Sequence, residues 1–284
     1  MIKRNLLIAV FTLCFVGAMK GQTASDSLAI VSAQWKIESP QKGVVYKYAS
    51  ISGLYQGSQS VSLIEIDPDL GLKVDVAISN KMKETSKIAS EHHAIAAING
   101  SYFDMKRGNS VCFLKTDRQV VDTTTQSEFN QRVTGAINVR KGVMKLIPWD
   151  RQIEKNYKGK VGTILASGPL MLKDGQACDL SSCEVNFIQT KHPRSAVATT
   201  KDGKILLITV DGRFPGQAEG VNIPELAHLI RILGGEDALN LDGGGSTTLW
   251  LSGASDGGVV NYPCDNRRFD HAGERKVPNV LYIH

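Results

Sequence analysis

Apolar and polar residues alternate or cluster in short runs along most of this chain, which is the spacing of β-strands. Val61 to Ile66 and Leu72 to Ile78 alternate, with Pro68, Asp69 and Gly71 between them, and predict a hairpin-like pair. Ala94 to Ile98 is a compact apolar run that stops abruptly at Asn99-Gly100, as a buried strand does. Further strands are predicted at Val133 to Val139, Val143 to Ile147, Thr163 to Ala166, Ser195 to Thr199, Lys204 to Val210, Ala238 to Leu241, Thr247 to Leu251 and Val280 to Ile283. Lys141-Gly142, Asp174-Gly175 and Asp202-Gly203 supply turn signals between them. The polar stretch with Lys83, Glu84, Lys87 and Glu91 predicts a short helix. A second helix is better marked. Leu226, Leu229, Ile230 and Leu233 fall on one face, Asn222 can cap it, Pro224 suits its first turn and Gly234-Gly235 can end it. No repeat or low-complexity linker divides the 284 residues, so the pattern is that of one strand-rich α+β domain.

The start of the chain differs in kind. Lys3 and Arg4 precede an apolar run from Leu6 to Ala18, short for a membrane span and sized for a signal peptide, with small and polar residues after it. We expect a signal segment at 1–24, an N-terminal arm at 25–59 and the domain at 60–284. Export is therefore expected, to a periplasm or to the outside, with no stable membrane anchor. Removing Lys3, Arg4 and Lys20 lowers the formal charge from +5 to +2, too little for a polybasic surface, so nucleic acid is not an expected partner. Four cysteines follow the leader: Cys112, Cys178, Cys183 and Cys264. An oxidising compartment allows none, one or two disulfides, with Cys178 and Cys183 close enough to close a small loop.

Three strand ends carry the candidate chemistry. Ile98 leads into Asn99-Gly100-Ser101-Tyr102-Phe103-Asp104, Val210 into Asp211-Gly212-Arg213, and Leu241 into Asp242-Gly243-Gly244-Gly245-Ser246. A buried strand ending in Asp or Asn followed by Gly presents a polar side chain at the sheet rim, and the glycine admits a close neighbour. The three-glycine run followed by a serine reads either as a flexible turn or as an anion-binding nest. Arg194 and Arg275 can each clamp a phosphate or simply face solvent. Glu225 fits the capping-box pattern Asn222-x-x-Glu225 and equally a carboxylate at a cleft beside a helix N-terminus. His192 and the His92-His93 pair read as structural or exposed. No Gly-x-Ser-x-Gly, His-Glu-x-x-His or calcium-loop pattern occurs, which leaves serine-hydrolase and zinc-peptidase chemistry without support.

Taken together, the ordered set resembles the phosphodiester glycosidase family. Its pieces are Asn99-Gly100-Ser101-Tyr102-Phe103, Ala166-Ser167-Gly168-Pro169-Leu170, His192-Pro193-Arg194-Ser195-Ala196, Val210-Asp211-Gly212-Arg213, Glu225-Leu226-Ala227, Leu241-Asp242-Gly243-Gly244-Gly245-Ser246-Thr247 and Glu274-Arg275-Lys276-Val277-Pro278-Asn279. Mammalian members carry an EGF-like segment and a membrane anchor after the catalytic domain, whereas this chain ends at His284, so the resemblance implies a bacterial exported member. It implies a mixed, strongly curved sheet with a few flanking helices. The implied reaction is hydrolysis of the bond between an anomeric carbon and a phosphodiester oxygen, with N-acetylglucosamine-like substrates and no cofactor. Asp211 and Asp242 are the expected catalytic pair, with Glu225 as contender. Asn99, Tyr102, Arg194, Gly212, Arg213, Gly243, Gly244, Gly245, Ser246 and Arg275 are expected to bind substrate. Asp104 is a weaker candidate for the same rim. Two rivals share these residues. One is a phosphodiesterase that breaks P–O with a metal held by Asp211, Asp242 and Glu225. The other is a non-catalytic module that binds phosphorylated glycans.

Overall fold

The computed structural model describes residues 23–117, 119–159 and 161–284. The expected signal segment lies outside them except for Thr23 and Ala24, which open the first helix, Ala24–Val31. Among the described residues no helix is long and apolar enough to cross a membrane.

The α+β class holds, but the single mixed sheet is replaced by three sheets of eight, five and four strands whose described pairings are all antiparallel. The eight-stranded sheet runs in the order Lys36–Gln41, Val44–Ser52, Ser58–Ile66, Ile205–Val210, Arg194–Thr200, Gly235–Asn240, Leu170–Lys173, Gln176–Ala177. Its central strands are apolar on both sides because both sides are covered, whereas the edge strands Lys36–Gln41 and Gln176–Ala177 are exposed. In Ile205–Val210, Ile205 and Leu207 join one core cluster, while Leu206, Ile208 and Val210 join another. The first cluster packs against the two smaller sheets through Val76, Ile98, Ile137, Leu165 and Leu281. The second packs under helices through Ile30, Ile188, Leu226, Leu229 and Ile230. At about 25 cal/mol per Å² of apolar surface, burial on both faces makes this sheet the stable platform of the molecule.

Two expectations need correction. Val61 to Ile66 and Leu72 to Ile78 do not form a hairpin. The first pairs with Val44–Ser52 and Ile205–Val210, and the second, within Val74–Glu84, pairs with Lys276–Ile283 in the four-stranded sheet. The Pro68–Leu70 turn therefore carries the chain between layers and does not close a ladder. Residues 25–59 are also no loose arm. Val44–Ser52 matches Ser58–Ile66 over its whole length, and Ile30 on the first helix is buried. The two helices marked by the sequence form at Thr85–Glu91 and Ile223–Ile232. All four described cysteines are free thiols.

Candidate active site

The three polar strand ends meet where the large sheet adjoins the four-stranded one. Arg194 pairs with Val210 and Ala196 with Asn240, which aligns the start of one strand with the ends of its two neighbours. The Asp242 N–H donates to Gly100 O at 3.0 Å and Asn99 Nδ2 donates to Asp242 O at 2.6 Å, joining the two sheets at the rim. The shared rim is thus present, but its residues divide sharply into tied and free.

Asp211 is tied. It is wholly buried, and its carboxylate accepts hydrogen bonds from Ser60 Oγ (2.6 Å), Asn261 Nδ2 (2.9 Å) and the Tyr262 N–H (3.0 Å). Burial pushes its pKa up, against the pull of those donors. The group staples Ser58–Ile66 to the 261–262 loop. Glu225 is tied as well. Its Oε2 accepts the Asn222 N–H at 3.0 Å while Asn222 Oδ1 accepts the Glu225 N–H at 2.9 Å, and Lys191 Nζ lies 3.3 Å from Oε1. The capping box accounts for it.

Several expected sugar contacts are interior struts. Asn99 is fully buried, with Oδ1 accepting from Ser195 Oγ (2.6 Å) and the Thr248 N–H (3.1 Å). The buried Tyr102 hydroxyl donates to Gly168 O (2.6 Å) and accepts from Asn240 Nδ2 (2.7 Å). Asp104 caps its own loop by accepting the Lys106 and Arg107 N–H groups. Arg194 is buried, with Nε on Val221 O (3.2 Å) and Nη2 on Phe187 O (3.1 Å) and Thr190 O (2.9 Å). Burial lowers its pKa to about 10, and it has no carboxylate partner among the described residues. Gly212 is a packing glycine, since a Cβ there would press on Pro193 N at 2.8 Å. The glycine run is only in part a nest. The Gly244 N–H goes to Pro193 O and the Ser246 N–H to Gly243 O, drawing Gly244–Ser246 into a 3-10 turn.

Asp242 is the free group. Its backbone is fixed, but its half-buried carboxylate accepts no hydrogen bond of good geometry among the described residues. Burial raises its pKa to about 6, opposed by the Ser246 hydroxyl and the Arg132 and Arg275 charges, and supported by Glu128. Ser246 Oγ is buried without a hydrogen bond of good geometry and acts on the Asp242 carboxylate, so its hydroxyl can turn to that carboxylate or to a ligand. Beside this group opens a cleft of about 450 Å³ lined by Arg213, Phe214, Cys264, Asp265, Arg267 and Arg275. Arg275 belongs to both, lining the cleft and acting on Asp242. Its Nη2 lies 2.6 Å from Asp265 Oδ1. The glycine loop is the floor beneath these arginines. A Cβ on Gly244 would meet Arg213 Nη2 at 2.9 Å, and one on Gly245 would collide with Arg275 and Asp265. The glycines therefore make room for guanidinium groups. Burial, with the Arg194 and Arg213 charges, lowers the His192 pKa.

Arg132 was not anticipated. It pairs with Glu128 through Nε (2.7 Å) and Nη2 (2.9 Å), and its guanidinium lies 3.7 Å from the centre of the Tyr102 ring. In sequence, Glu128 and Arg132 are an ordinary i,i+4 pair at a helix end, the usual sign of a solvated surface. The structure turns that pair inward instead. Among the described residues no three His, Cys, Asp or Glu side chains converge on a point, so Asp211, Asp242 and Glu225 are not assembled as a ligand set.

The model of the phosphodiester glycosidase family matches residues 92–284, a stretch that contains every strand end described above. The chain belongs to that family. Among curated proteins it is similar to the N-acetylglucosamine-1-phosphodiester alpha-N-acetylglucosaminidases of Mus musculus and Homo sapiens. Identity to the mouse protein is 25% over 203 residues, 66% of this chain and 37% of that one. Identity to the human protein is 23% over 218 residues, 72% of this chain and 39% of that one. The chain thus spans less than two-fifths of the length of either. Among solved structures, the catalytic domain of the zebrafish enzyme, described as auto-inhibited by its pro-peptide, superposes with a TM-score of 0.66. That match has 20% identity and covers 88% of this chain and 87% of that one. A hypothetical protein from Synechocystis superposes at 0.61 with 17% identity, over 88% of this chain and 63% of that one. These two structural likenesses speak to the fold.

Proposed function

We propose that this family member hydrolyses the glycosidic C–O bond of a sugar 1-phosphodiester of the N-acetylglucosamine type, releasing free sugar and a phosphomonoester. The observation that carries the reading is Asp242, a carboxylate without a charged partner at hydrogen-bond distance, its pKa raised to about 6, which shares Arg275 with the neighbouring arginine-lined cleft. The names of the mouse and human relatives support the choice of substrate.

The chemistry suits one free carboxylate. The phosphomonoester leaves as a stable anion, so the leaving oxygen needs little protonation and no strong general acid. As C1–O breaks, charge gathers on the phosphate, where Arg213, Arg275 and the Ser246 hydroxyl can meet it. Asp242 takes a proton from the attacking water, and its charge stabilises the oxocarbenium-like centre. The neighbouring carboxylates Glu128 and Asp265 are both engaged by arginines. We take Asp242 as general base to the attacking water, so that the anomeric centre inverts. The buried Arg194, with no carboxylate partner among the described residues, holds positive potential behind the site. The basic and apolar leader, Lys3 to Ala18, supports export to a periplasm or to the outside.

The test is turnover of methyl N-acetylglucosamine α-1-phosphodiester, followed by NMR with and without EDTA. Free sugar plus methyl phosphate, insensitive to EDTA and with the β-anomer formed first, is the expected result. Sugar 1-phosphate plus methanol would replace this reading with the phosphodiesterase. Saturable binding without turnover would replace it with the binding module.

A further inference from the structure

A phosphodiester brings one negative charge to a site that holds more than one unbalanced positive charge. Arg132 is neutralised by Glu128 and Arg275 by Asp265. The buried Arg194 spends its donors on the Val221, Phe187 and Thr190 carbonyls, and Asp242 adds one negative charge to the site. Arg213, over the glycine floor, answers the phosphodiester itself. Arg267 is left over. It lines the same cleft, is exposed, and has no carboxylate within ion-pair distance among the described residues. Its backbone is held at φ +61° in a turn closed by the Arg267 N–H on Cys264 O at 3.1 Å. Glycine or asparagine would adopt that conformation at lower cost, so an arginine there holds its guanidinium at the cleft against a local preference. Phe214 forms an apolar wall of the same cleft and is braced edge-on by Phe269, ring centres 5.1 Å apart. An apolar wall with a second cation suits a carbon skeleton that carries an anion.

We propose that the leaving side of the cleft is a second anion subsite centred on Arg267, and that the preferred substrate carries another phosphate or carboxylate on its aglycone. Repeating sugar-phosphate polymers and singly phosphorylated small aglycones share that chemistry. This inference rests on the hydrolase reading above for its kinetic arm and stands apart from it in its binding arm.

The test compares two esters of N-acetylglucosamine α-1-phosphate with the purified full chain. One is the ester to glycerol, the other the ester to glycerol whose far hydroxyl is phosphorylated. The wild type should favour the phosphorylated aglycone by about tenfold in kcat/KM, mostly through KM, and the preference should shrink in high salt. Arg267→Gln should abolish the preference between the two esters, and Arg267→Lys should restore part of it. Equal kcat/KM for the two esters in the wild type, or a preference that survives Arg267→Gln, would overturn the subsite. If neither ester is turned over, the hydrolase reading fails and calorimetric binding decides the subsite. Glycerol 1,3-bisphosphate binding about tenfold tighter than glycerol 1-phosphate, with the difference lost in Arg267→Gln, supports it; equal binding overturns it.

Discussion

Asp211-Gly212 and Asp242-Gly243 are the same local solution written twice: an apolar strand, an aspartate at its end, then a glycine pressed against the 193–194 backbone. Their environments set them apart. Asp211 meets three donors and becomes a buried staple between strand and loop. Asp242 has its backbone fixed on both sides and its carboxylate left without a hydrogen bond of good geometry. Both pKa values are raised by burial, so perturbation alone does not separate them. The difference lies in hydrogen-bond satisfaction: a carboxylate whose lone pairs are spent has none to offer a substrate.

The sharpest test of that contrast is to neutralise each aspartate in turn. Asp242→Asn should lower kcat by 10³-fold or more while the fold persists. Its effect on stability has a definite sign. The folded pKa of about 6 lies above the ordinary 3.8, so the native chain holds the proton more tightly than the unfolded one. That contribution is complete below about pH 4 and is lost as pH rises through about 6. Removing the charge should therefore raise stability at pH 7.5 by on the order of 2 kcal/mol, seen as a higher Tm. Asp211→Asn should do the reverse. It turns an amide NH₂ toward donors that need an acceptor, costs about 2–3 kcal/mol in urea unfolding, and leaves the folded fraction active. Equal kcat losses in both variants would erase the distinction.

Smaller effects sharpen it. Arg132→Gln should cost about 10²-fold in kcat/KM and, by removing a positive neighbour, move the acid limb of the pH profile above 6. In the wild type kcat/KM should rise through about pH 6 and then level, because Asp242 acts in its ionised form. Ser246→Ala should cost about tenfold and shift the same limb upward, since the hydroxyl lowers the Asp242 pKa. The smallest change is at the helix cap. Glu225→Ala should cost about 1 kcal/mol in thermal unfolding and leave kcat/KM within about twofold of wild type.

Leu114–Thr116, Gln119–Asp122 and Leu170–Lys173 went unread, but Ala96–Asn99 and Ile205–Val210 were legible because two-sided burial writes them as uninterrupted apolar runs. Lys36–Gln41 and Gln176–Ala177 were not, because exposed edge strands carry no such signature. Partners were harder to read than strands. The Val61 to Ile66 and Leu72 to Ile78 runs look like a hairpin locally, but each finds its ladder far away in sequence. At the site, the expected residues that the proposed function keeps are Asp242, Arg213, Ser246 and Arg275. Sequence did not separate tied from free groups, because the donors on Asp211 come from Ser60, Asn261 and Tyr262, distant along the chain. Arg132 was invisible for the opposite reason: its partner Glu128 is only four residues away and makes it look like surface.

The most direct test of the central claim is hydrolysis of methyl N-acetylglucosamine α-1-phosphodiester in ¹⁸O-labelled water, with products analysed by mass spectrometry for wild type and Asp242→Asn. Water activated at Asp242 attacks carbon, so the label should appear in the sugar, with none in methyl phosphate, and turnover should vanish in the variant. Label in a phosphate product would mean that the P–O bond breaks and that Asp242 does not serve the anomeric centre.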